Sequence, residues 1–177
     1  MHINNELKKI AYKLKKKKIK IAVAESCTGG LLSFNLIKTP GASKYFNMGI
    51  VCYSNYSKKI ILKVKDKTLK DNGAVSTETC KEMCENLLKI SKSNIAISTT
   101  GIAGPNGGNK KKPIGLVYIG VSNKNGTKII KINFNKKLSR ENIQKKTVFE
   151  TIKIIKKIIY LVLTTYCSAL LTTDFLG

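Results

Sequence analysis

The chain has 177 residues, enough for one domain with a sizeable core, and its 42% apolar and 24% charged residues are globular proportions. Lys and Arg number 33 against 10 Asp and Glu, a net charge of +23 that points toward anionic ligands. Five cysteines, an odd number, fit reduced thiols in a cytosol rather than a disulfide framework, and a single histidine, His2, leaves a zinc site almost without ligands. Residues 1–18 form a lysine-rich amphipathic stretch without a secretory h-region. Within it Leu7, Ile10, Ala11 and Leu14 share one helical face, which predicts a helix over residues 5–18.

Residues 19–24 (IKIAVA) read as a buried strand, and the loop AESCTGG (residues 24–30) follows it. A helix is predicted over residues 28–38, ending before Thr39-Pro40-Gly41. Residues 47–53 read as a strand, 57–62 as a short helix and 64–72 as a polar connection. Ser76 is a plausible N-cap for a helix from residue 77 to about 90. On it Cys80, Met83, Cys84 and Leu87 share an apolar face, a packing pattern more than a ligand pattern. A strand over residues 94–98 leads into a second hydroxyl- and glycine-rich loop, TTGIAGPNGG (residues 99–108). Residues 115–122 and 128–134 flank Asn125-Gly126, a strong hairpin signal. Ser139 caps a last predicted helix that carries Val148, Ile152, Ile155 and Ile159 on one face.

Strands alternating with helices, then one antiparallel hairpin, predict an α/β layered fold with a mixed, mostly parallel sheet. Residues 1–160 read as a single domain and residues 161–177 as an apolar tail. The uncharged run 158–173 is shorter than the roughly 18 residues a spanning helix needs. It reads as a helix end, with a peripheral anchor as the alternative. Arg140 is the only arginine; every other basic residue is lysine, and asparagine and isoleucine are plentiful. These are residues of AT-rich codons, so drift accounts for the charge, and neither a nucleic-acid nor a membrane partner is expected. A guanidinium that survives such drift fits bidentate phosphate binding, with chance survival as the alternative.

Several chemistries are eliminated. A serine or cysteine nucleophile paired with histidine needs a positioned imidazole, and His2 sits at the terminus. The G-x4-G-K-[ST] and G-x-G-x-x-G phosphate loops are absent. Serine or threonine activated by lysine or tyrosine remains. Ser26 is the candidate nucleophile, and its competing role is a helix cap. Cys27 is the rival nucleophile, or else a small packing residue. Lys58 or Lys59 is the candidate base, which needs burial or a cationic neighbour to lose its proton near neutral pH. Tyr53 relays a proton, holds substrate or packs. Two hydroxyl- and glycine-rich loops at strand ends suggest one site built from both.

At these residues the chain resembles the CinA C-terminal domain family, found alone as nicotinamide-nucleotide amidase. The matching motifs are AESCTGG, PGASKYF (residues 40–46), GIVCYSNYSK (49–58), GAVS (73–76), TTGIAGPNGG, KPIGLVYIG (112–120) and SRENIQKKTV (139–148). They span residues 7–159 in the family's order. The resemblance implies a three-layer α/β/α sandwich, no required metal and self-association into a homo-oligomer; no other cofactor is expected, and the reduced thiols fit a cytoplasmic location. The implied reaction is hydrolysis of the carboxamide of nicotinamide mononucleotide, giving nicotinate mononucleotide and ammonia. It places the catalytic serine on Ser26, the lysine base on Lys58 and an assisting tyrosine on Tyr53. Amides around Thr28, Gly29 and Gly30 would hold the oxyanion, and Thr100, Gly101 and Arg140 the ribose and phosphate. Further substrate contacts fall on Glu25, Asn55 and Gly104. Leu138-Ser139 stand where the family usually has Gly-Asp, no family counterpart is expected for the tail beyond residue 159, and no match is expected to the N-terminal molybdopterin-binding-like domain of larger members. The alternative function is a non-catalytic nucleotide-binding or interaction module.

Overall fold

A computed structural model describes the backbone of residues 2–170 and the side chains of residues 4–160. The predicted tail, residues 161–177, therefore lies outside the described side chains. Helix α1 (His2–Lys16) leads into strand β1 (Ile21–Glu25), helix α2 (Leu31–Ile37) and strand β2 (Phe46–Val51). Helices α3 (Asn55–Ile60), α4 (Asp66–Asn72) and α5 (Thr77–Ser91) precede strand β3 (Ile95–Gly101). The hairpin β4 (Leu116–Asn123) and β5 (Gly126–Asn133) and the long helix α6 (Arg140–Leu170) complete the order.

The sheet order is β2-β1-β3-β4-β5. β1 pairs in parallel with β2 and β3, and the hairpin adds two antiparallel ladders. Four strands thus point one way and β4 alone points the other. Side chains alternate across the sheet with period two. Ile21, Val23, Ile95, Ile97, Val117 and Ile119 face one side, where α1, α2 and α6 contribute Leu7, Leu14, Leu32, Leu36, Val148, Ile152, Ile155 and Ile159. Ala22, Ala24 and Ala96 face the other side, against Met83, Cys84 and Leu87 of α5. Branched residues thus line the face that receives three helices, and small ones line the face against α5. The result is three layers, helix, sheet, helix.

Two expectations need correction. Residues 28–30 are not helical: Gly29 and Gly30 hold φ of +58° and +98°, a left-handed turn that delays α2 to Leu31. The connection 64–72 contains α4, which the sequence pattern missed because Leu69 is its only apolar residue. Tertiary contacts hold it: Glu82 of α5 accepts from the Lys65 amide at 2.8 Å and from the Thr68 hydroxyl at 2.6 Å. Ser76 caps α5 as expected, accepting from the Thr79 amide at 3.1 Å.

Candidate active site

Parallel register brings Glu25 of β1 level with Val51 of β2 and Thr99 of β3. The chain leaves β1 through α2 toward β2, and leaves β3 toward β4 on the opposite side. The carboxyl ends of β1 and β3 therefore form a switch point, where open α/β sheets hold their ligands. A cavity of about 180 Å³ lies there, lined by Ser26, Cys27, Tyr53, Lys58, Thr100 and Arg140, with Ala74, Val75, Gly101 and Ala103. Both hydroxyl- and glycine-rich loops contribute to it. The Ser26 amide donates to the Thr99 carbonyl at 2.9 Å, and the hydroxyls of Thr28 and Thr99 meet at 2.8 Å.

Lys58 is fully buried although α3 lies at the surface. Its ammonium reaches the Ser26 hydroxyl at 3.1 Å, the Cys52 carbonyl at 2.9 Å and the Tyr53 carbonyl at 3.1 Å. Burial pushes its pKa below the ordinary lysine value, because the charged form loses hydration; the nearby Cys52 and Cys27 thiols oppose this less strongly. Lys59, the other candidate base, points outward and pairs with Asp66 at 2.5 Å. Burial also pushes the Cys27 thiol up to about 12, so the thiolate is disfavoured and the small-packing-residue reading holds.

Ser26 does not cap α2. That role falls to Glu25, which is fully buried. Its carboxylate accepts from the amides of Gly30, Leu32 and Ser33 and from the Ser33 hydroxyl, at 2.6–3.0 Å. The Gly29 amide donates to the Ser26 carbonyl at 3.2 Å. Of the amides around residues 28–30, those of Gly29 and Gly30 are thus committed within the turn, which leaves Thr28 and its neighbour Cys27 as the donors the turn offers to a ligand.

Arg140, the first residue of α6, donates to the Gly104 carbonyl at 2.8 Å and to the Tyr53 hydroxyl at 2.7 Å. Both partners are neutral, so the guanidinium charge is not cancelled by them. The Thr100 hydroxyl donates to the Ala74 carbonyl at 2.7 Å, so its remaining capacity is as an acceptor, a match for a ligand hydroxyl. Six sequence candidates therefore converge on the cavity: Ser26, Tyr53, Lys58, Thr100, Gly101 and Arg140. Glu25, Thr28, Gly29, Gly30 and Gly104 stand behind it, shaping the turn or holding Arg140. Asn55 lines a separate depression with Tyr56, Lys59, Asp66, Leu69 and Lys70. The apolar wall of Ala74, Val75 and Ala103 is not among the sequence candidates, although all three residues lie in the quoted motifs GAVS and TTGIAGPNGG. Among the described residues, no group of three or more His, Cys, Asp or Glu is placed to hold a metal ion, and no helix is long and apolar enough to cross a membrane.

A serine hydroxyl against a buried lysine, at the carboxyl ends of parallel strands, defines an α/β/α protein with a serine–lysine dyad in an open cleft. The family model described as the CinA C-terminal domain matches residues 4–159, and the chain belongs to that family. A putative competence-damage inducible protein of Caldanaerobacter subterraneus subsp. tengcongensis is 43% identical over 155 residues, covering 87% of this chain and 37% of the relative. A CinA-like protein of Endomicrobium trichonymphae is 49% identical over 137 residues, covering 77% of this chain and 32% of the relative. The chain thus spans about a third of the length of the curated relatives it matches. Among solved structures, a CinA superfamily protein from Klebsiella pneumoniae 700603 superimposes with a TM-score of 0.85 at 25% identity, covering 90% of this chain and 99% of that one. The competence/damage inducible protein CihA from Agrobacterium tumefaciens gives 0.79 at 30% identity, covering 92% and 94%.

Proposed function

We propose that this domain hydrolyses the carboxamide of nicotinamide mononucleotide, releasing ammonia and nicotinate mononucleotide. The observation that carries the reading is the 3.1 Å contact between Ser26 Oγ and the Nζ of buried Lys58. In the neutral state Lys58 accepts the Ser26 proton as Oγ attacks the amide carbon. The carbonyl oxygen becomes an oxyanion, met by turn amides. Collapse expels ammonia, which takes the proton back from Lys58 and leaves an acyl-serine. Water then attacks that ester, with Lys58 again accepting a proton and returning it to Ser26. Thr100 and Gly101 hold the ribose, and Arg140 with the Tyr53 hydroxyl holds the phosphate. The single surviving arginine then has a function that lysine serves poorly, a planar donor fork facing phosphate oxygens.

The test is ammonia and nicotinate mononucleotide formation from nicotinamide mononucleotide by wild type and Ser26→Ala. Turnover that drops to background in the variant supports the reading. A folded wild type that binds the nucleotide without turnover would favour the non-catalytic binding module instead.

A further inference from the structure

The turn that carries Ser26 has one peptide on which the chemistry depends. The Ser26 carbonyl accepts from the Gly29 amide. Residues 26–29 therefore form a β-turn, and Cys27–Thr28 is its central peptide. Thr28 is not among the residues with positive φ, so the turn is not type II. In a type I turn the third residue's N–H lies on the side of the first residue's side chain, the relationship that Asx- and ST-turns use. Here that places the Thr28 amide on the side of the Ser26 hydroxyl. A flip of the central peptide would replace that N–H by the Cys27 carbonyl oxygen, a dipole of the wrong sign for a developing oxyanion.

The C=O and N–H of a trans peptide point in opposite directions, so holding one aims the other. The Cys27 carbonyl is held from outside the turn: Gln144 Nε2 donates to it at 2.8 Å, across 117 residues of sequence. Gln144 stands one turn after Arg140 on α6, so one helix face serves both the cleft rim and the turn. Gln144 does not line the cavity.

We infer that Gln144 is a positioning residue for acyl transfer: it anchors the Cys27 carbonyl and thereby keeps the Thr28 amide aimed at the oxyanion formed on attack by Ser26. The inference rests on the serine-acylation reading given above. Gln144 touches neither Ser26 nor Lys58 in the described contacts, so it acts through the peptide alone.

Gln144→Leu removes the donor while keeping bulk, and Gln144→Glu sets an acceptor against the carbonyl. Two readouts are needed: steady-state turnover of nicotinamide mononucleotide, and the rate at which a fluorophosphonate labels Ser26, followed by mass spectrometry. Loss of one oxyanion donor costs about 10²–10³ in kcat, and a misaimed donor is expected to cost about ten- to a hundredfold. The expected result is that fall in kcat and in labelling rate for Gln144→Leu, a larger fall for Gln144→Glu, KM within about twofold and an unchanged thermal midpoint for Gln144→Leu. Wild-type kcat and labelling in both variants would overturn the inference, as would a rise in KM alone. A wild type that labels in a Gln144-dependent way yet leaves the nucleotide intact would remove the substrate assignment and keep the role of Gln144. A wild type that neither labels nor turns over would remove both.

Discussion

Lys58 shows how three acceptors set a protonation state. Two of its N–H groups are directed at the Cys52 and Tyr53 carbonyls whether or not it is charged. The third direction faces Ser26. It carries an N–H when lysine is charged and a lone pair when it is neutral, and only the lone pair can accept the serine proton. In the proposed reaction the rate therefore follows the neutral fraction. Since burial lowers the Lys58 pKa from its ordinary 10.5, kcat/KM is expected to rise with pH with a midpoint below 10.5. A pH profile checks this, and Lys58→Met should leave no such rise. Residue type and spacing narrowed the base to Lys58 or Lys59, neighbours on a six-residue helix, and the family resemblance alone chose Lys58. Burial separates them, and Lys58 alone reaches the residues that follow β1 and β2, Ser26 on one side and Cys52 and Tyr53 on the other. Ser26 was legible because its loop signals are local, whereas the contact from Gln144 was not.

At the level of the element, α2 depends on a carboxylate that precedes it. Four donors converge on Glu25, three of them amides at the start of the helix, where side chains must supply the missing acceptors. Glu25→Ala would strand these amides, of which that of Leu32 is buried and those of Gly30 and Ser33 are half-buried, and is expected to cost about 2–3 kcal/mol. Glu25→Gln, which retains one acceptor oxygen, should cost less. Urea denaturation of both variants measures the difference. The sequence offered Glu25 only as a substrate contact. Its capping partners lie five to eight residues ahead, beyond the three-residue reach of a standard capping box. By contrast, the Ser76 cap and the Asn125-Gly126 hairpin follow short-range rules and were read correctly. Helix α4 was missed for the opposite reason: its sequence is nearly all polar, and Glu82 from another element fixes it.

Across the whole molecule, the two faces of the sheet differ in the side chains they tolerate. The α5 face is built from Ala22, Ala24, Ala96, Ser98 and Gly120, so α5 rests close to the strands. A Cβ on Gly120 would lie 2.5 Å from Ser98 Oγ and 3.2 Å from the Cys80 carbonyl oxygen, which belongs to backbone and cannot swing away. Gly120→Ala is therefore expected to destabilise by about 1–3 kcal/mol, measured as a lower denaturation midpoint. The alternation of strands and helices made the layered fold legible. The spacing between layers was not, because it follows from which small residues face which helix.

The bond from Gln144 to the serine turn also has a temporal consequence. Ser26 and its turn emerge early in synthesis, and their anchor is added 117 residues later. A nascent chain can thus form β1 and its turn long before the central peptide is held. In the proposed reading, the nucleophile of a growing chain is exposed but misaimed, and catalytic competence arrives with the docking of the last helix.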